Sequence, residues 1–126
     1  MNAIVWGAIL AGLGVAAGAF GAHGLEGRVE PRLLEVFETG TRYHVIHAIA
    51  LVLVGLARAT GVGSSAPAWL DRAGWCFVIG IVLFSGSLYV MTMTGQRWLG
   101  AITPFGGVGF LSGWACFAMA ARRVRD

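Results

Sequence analysis

Residues 73–96 read AGWCFVIGIVLFSGSLYVMTMTGQ, without one charged side chain. A helix needs about 20 mostly apolar residues to cross a bilayer, because the hydrocarbon core is about 30 Å thick and each residue rises about 1.5 Å. This stretch meets that length directly. Working outward, three more charge-free gaps appear: Met1 to Gly27 with Glu26 as the one exception, Tyr43 to Ala57, and Trp98 to Ala121. The gap from Tyr43 is the shortest, with Arg42 and Arg58 placed to snorkel at its ends. The pattern predicts an all-α, four-helix transmembrane bundle in one domain over 1–126, with spans at about 2–22, 42–59, 71–94 and 103–122.

Composition agrees. The chain is 57% hydrophobic and 12% charged with mean hydropathy +0.76, too little charge to cover a water-soluble domain. A net charge of +3, scattered along the chain, is no nucleic-acid footprint. Ala17-Gly18-Ala19 has the form of a signal-peptide cleavage site. No Lys or Arg precedes the apolar run, however, and the run is too long for a signal peptide, so a retained first span is expected.

The connection from Gly24 to Thr41 carries Glu26, Arg28, Glu30, Arg32, Glu35 and Glu38. Pro31 suits a first helical turn, and Leu33, Leu34, Val36 and Phe37 are apolar among polar neighbours. The segment reads as a short interfacial helix or as a wet first turn continuous with the second span, beside the plain reading of a solvated linker. Glu38 and Arg42, four apart, are placed to pair on one face. Trp69 and Trp98 fall where interfacial anchors are expected. Thr103 before Pro104 is placed as the N-cap of span four.

An even number of spans puts both termini on one side. That side holds Arg58, Arg72, Arg122, Arg123 and Arg125, against Arg28, Arg32, Arg42 and Arg97 on the other, so both termini are expected in the cytoplasm of a bacterial inner membrane. Dual topology stays open on so narrow a margin. Lipid gives helices no hydrophobic reason to associate, so close backbone approach must hold them. Gly14-x-x-x-Gly18 and Gly109-x-x-x-Gly113 are the expected packing motifs, with Ala8, Gly12 and Ala16 as a parallel small-residue row. The same signal serves packing within a chain or between copies, so a homo-oligomer is open.

Polar residues gather at the end opposite the termini: His23, Tyr43, His44, His47, Ser85, Ser87, Tyr89, Thr92, Thr94 and Thr103. No His-plus-acid spacing of a metal motif is present, and no metal or cofactor is expected. No nucleophile–base–acid arrangement is visible, so catalysis is not expected either. Cys76 and Cys116 lie at comparable depth and read as inert thiols.

Gly18-Ala-Phe-Gly-Ala-His23-Gly-Leu25, Phe37-Glu-Thr-Gly40 with Tyr43 and His47-Ala48, Phe84-Ser-Gly-Ser-Leu-Tyr89, and Leu99-Gly-Ala-Ile-Thr-Pro-Phe-Gly-Gly107 with Gly113-Trp114 occur in this order. Together they resemble the domain-of-unknown-function 423 family, the YgdD-like small inner-membrane proteins. The resemblance implies a four-span bacterial membrane protein with no established activity. It also implies that His23, Tyr43, His47, Ser85, Ser87, Tyr89, Thr103 and Pro104 belong to family motifs, whereas His44 departs from them. The expectation placed first is therefore a non-catalytic bundle that contacts membrane lipids or a membrane-protein partner. An oligomeric transporter or channel for a small solute or ion, lined by His23 and His47, is the alternative. A quinone- or haem-associated accessory subunit comes third.

Overall fold

The computed structural model describes residues 1–122, so Arg123 and Arg125 lie outside the described residues. The chain forms α1 (Ala3–Phe20), α2 (Pro31–Ala59), α3 (Pro67–Gly80), α4 (Gly86–Thr94) and α5 (Thr103–Ala121), with no strand among the described residues. A wide π turn, Gly21–Leu25, extends α1, and another, Ile81–Ser85, joins α3 to α4 into one rod. A 3₁₀ turn, Arg97–Ala101, precedes α5. Four segments are long and apolar enough to cross a membrane: Ala3–Leu25, Pro31–Ala59, Pro67–Thr94 and Arg97–Ala121.

Local chemistry sets the ends. The Asn2 side chain accepts from the Val5 amide at 3.2 Å and caps α1. Pro31, Pro67 and Pro104 occupy first turns, where no intrahelical donor is lost. Gly95 takes φ +71° and closes α4 with its amide on the Met91 carbonyl at 2.8 Å.

The second span departs from the sequence expectation. It begins at Pro31 rather than Arg42, as one unbroken 29-residue helix, so of the readings for this connection the one continuous with the second span holds, and only residues 26–30 stay outside a helix. Phe37 explains the extension: it is buried, its ring 4.8 Å from Tyr89 and 6.2 Å from Phe20. Glu38 and Arg42 form no ion pair; Arg32 pairs with Glu35 at 3.3 Å instead. Thr103 also differs, lying inside the first turn of α5 with no capping bond from its side chain.

Spans two and three form the central pair, 44% buried over their apolar windows, while spans one and four are 17% buried and flank them. α1 packs along α2, and α5 along α3. Gly7, Gly14 and Gly21 recur every seven residues on the α1 face that meets α2. A Cβ there would fall 2.6 Å from Val52, 2.7 Å from Val45 and 2.8 Å from Phe37 respectively. A seven-residue repeat keeps one face on a left-handed neighbour. Gly18 stands off this row with nothing within 4 Å, so it makes no packing contact within the chain, and Gly12 on the outer face is equally open. Gly109 and Gly113 do pack, against Gly80 and Phe77 of α3.

Two interhelical ion pairs mark the rims. Arg58 meets Asp71 at the terminal end, and Arg97 meets Glu30 at 3.2 Å at the other. Along α2 these positions are about 42 Å apart, which matches the roughly 40–45 Å of a bilayer with its head groups.

Candidate functional site

α2 presents Gly40, His44 and His47 inward at helical spacing, and the rod of α3 and α4 presents Ser85, Tyr89 and Thr92 against it. Ser85, fully buried, donates to the Gly40 carbonyl at 2.7 Å. Thr92 reaches the Leu33 carbonyl at 3.1 Å. Tyr89 lies over Gly40, where a Cβ would approach its ring to 3.0 Å, and its hydroxyl is 2.8 Å from His44 Nδ1. Ser87 faces the other way, its hydroxyl 2.6 Å from that of Thr103 on α5. Span three is thereby fastened to both α2 and α5.

His47 is the second joint. Its Nδ1–H donates to the Tyr43 carbonyl at 2.7 Å, and its Nε2 accepts from the Trp114 indole N–H at 3.1 Å. A carbonyl only accepts and an indole only donates, so the two partners define the neutral Nδ1–H tautomer. The ring also stacks on Phe110, centroids 3.5 Å apart and planes within 9°.

His44 is 6% exposed, and its Nε2 is buried without a hydrogen-bond partner, facing α1 near the Leu10 backbone. The close approach of α1 at Gly14, where a Cβ would be 3.3 Å from the His44 ring, leaves no room for another side chain.

Of the residues expected in the polar cluster, Tyr43, His47, Ser85, Ser87, Tyr89 and Thr103 each join a helix–helix contact, in separate joints and not in one cluster: Ser85 and Tyr89 on α2, Ser87 with Thr103, and Tyr43 and His47 against Phe84 and Phe110. His23 does not: it is exposed on the π turn after α1, with no hydrogen bond to a described side chain. Sequence reasoning set His44 aside and gave Trp114 and Phe110 no role at the joint. The inner-face periodicity through Phe37, Gly40, His44 and Ala48 would have found the first. No local signal predicts the other two, because they reach His47 from α5. Among the described residues no three His, Cys, Asp or Glu side chains converge, and the two histidines point to different partners.

Between α2 and α5 lies a lateral groove of about 550 Å³, walled by Tyr43, Ile46 and His47 on one side and Pro104, Gly107 and Leu111 on the other. It shares Phe84 with a second recess of about 310 Å³, which carries Arg32, Glu35, Thr39 and Thr103. The two recesses adjoin at Phe84, the groove apolar toward the membrane centre and the smaller recess polar toward the rim.

The family profile described as "Protein of unknown function (DUF423)" matches residues 17–107. The chain belongs to the DUF423 family. Among its relatives, the UPF0382 membrane protein YwdK of Bacillus subtilis is 48% identical over 120 residues, covering 94% of each chain. A UPF0382 membrane protein of Staphylococcus epidermidis is 44% identical over 117 residues, 93% of this chain and 92% of its own. One of Staphylococcus saprophyticus is 40% identical over 121 residues, 96% and 97%. No solved structure matches. The DUF423 chain is thus a small multi-pass membrane protein of a family of unknown function, similar to these relatives over more than nine-tenths of its length.

Proposed function

We propose that this is a non-catalytic bundle of the bacterial inner membrane that acts by contact with lipid or a membrane-protein partner, not by moving a solute. One observation carries this reading: both ring nitrogens of His47 are closed by Tyr43 and Trp114. A path-lining histidine needs a nitrogen free to bind or relay, and an imidazole holding haem iron needs one too. His23 stands apart at the exposed end of span one, and His44, whose Nε2 has no partner, is closed in by α1 at Gly14. The remaining buried hydroxyls serve helix joints: Ser85 on Gly40, Ser87 on Thr103 and Thr92 on Leu33. Vesicles containing the purified protein and a pH-sensitive dye are expected to leak protons no faster than empty ones. A leak that His47→Gln abolishes overturns the reading.

Arg58, Arg72 and Arg122 lie on the terminal side, and the bacterial origin of the relatives supports a cell-membrane location with cytoplasmic termini. Fused to the C-terminus, a green fluorescent protein is expected to fluoresce and alkaline phosphatase to stay inactive. The reverse pattern contradicts this orientation.

A further inference from the structure

We propose that the groove between α2 and α5 holds one acyl chain of a phospholipid whose zwitterionic head group, bearing a phosphate and a primary ammonium, sits at Arg32 and Glu35. The ligand class follows from the order of chemistry with depth. One stripe of α2 lines both recesses in turn, Arg32, Glu35 and Thr39 the polar one and Tyr43 and His47 the apolar groove. From Arg32 to His47 the helix rises about 22 Å, roughly the depth of one leaflet. The charged end lies just inside the rim set by Glu30 and Arg97, and the apolar end runs to the membrane centre under Trp114. A partner helix would need an apolar groove across both leaflets. A lipid needs one polar and one apolar end within a single leaflet, which is what the surface offers.

The head group follows from charge complementarity. Arg32 Nη1 and Glu35 Oε2 are 3.3 Å apart with both side chains about 70% exposed. Such a pair is weakly held and opens readily to outside partners. A phosphate on Arg32 and an ammonium on Glu35 satisfy both charges. A purely anionic head would meet the Glu35 carboxylate as well as the guanidinium, and a lone cation would meet Arg32. Gly107 matters in the apolar limb, because a Cβ there has nothing within 4 Å and the missing side chain leaves the chain its space.

Native mass spectrometry of the purified protein in detergent, with phosphatidylethanolamine or phosphatidylglycerol added at equal concentration, tests this. The wild type is expected to retain one phosphatidylethanolamine per chain in preference to phosphatidylglycerol. Gly107→Leu and Leu111→Trp, which fill the apolar limb, are expected to lower retention about tenfold or more. Gly12→Leu, equally open but on the outer face of α1, is expected to leave retention unchanged. Glu35→Gln should remove the preference between the two lipids, and Arg32→Gln should weaken both. Retention unchanged in both filled variants, or equal retention of the two lipids by the wild type, overturns the proposal. The proposal rests on the contact reading above, and the two fail separately: proton leak decides that reading, and lipid retention decides this one.

Discussion

His47→Ala is expected to lower the unfolding free energy by about 2–3 kcal/mol, read as a fall in melting temperature in detergent. Two losses combine. The ring stacked on Phe110 leaves a void that neighbouring side chains fill only in part, and in a membrane such packing is the chief force between helices. The Trp114 indole N–H also loses its acceptor. The relative size of the two terms is itself testable. Interhelical hydrogen bonds within membranes average about 0.6 kcal/mol, because the separated helices find other partners. Trp114→Phe, which removes the donor and keeps an aromatic ring, should therefore cost about 1 kcal/mol or less. If it costs as much as His47→Ala, the hydrogen bond dominates the joint and stacking does not.

Adjacent glycines on α5 should behave in opposite ways. A Cβ at Gly106 would collide with the backbone of Phe84, which has no flexible end to move aside. Gly106→Leu must push α5 away from the third span, and overpacking of this kind costs about 1–3 kcal/mol, sometimes more. Gly107, one residue and about 100° further round, faces the open groove. Gly107→Leu should stay within about 0.5 kcal/mol of the wild type. Thermal melts of the two variants side by side check the rotation of α5: equal destabilisation means that the helix is turned otherwise than described.

The four spans were legible because charge is excluded from hydrocarbon so strongly that its absence marks each crossing. The start of α2 was legible only as one of three readings. Glu35, Glu38 and Arg42 interrupt that stretch and break the charge-free signal, although the buried row of Phe37, Gly40 and His44 runs on beneath them. Membrane helices tolerate such residues near a rim, where long side chains reach the head groups. Glycine spacing was legible as a type of contact and not as a face. Gly14 and Gly18 fit the familiar four-residue motif, but the neighbour lies on the row through Gly7, Gly14 and Gly21, and a sequence does not state where the neighbour lies. In the polar cluster, residue types and their shared end were readable. The pairings were not, because Ser85 with Gly40 and His47 with Trp114 depend on the rotation of separate helices.

The ion pairs Arg58–Asp71 and Arg97–Glu30 act as a ruler. The bonds themselves are exposed and weak, but the four charges cannot enter hydrocarbon, so they hold the two ends at head-group level, and α2 passes between them without a break. In a thinner bilayer the bundle must tilt or thicken the lipid around it, and in a thicker one the lipid must compress. Each adjustment costs a fraction of a kcal/mol per Å of mismatch. Over several Å that is enough to sort proteins between membrane regions, so thickness becomes an address that this fold carries in its two collars.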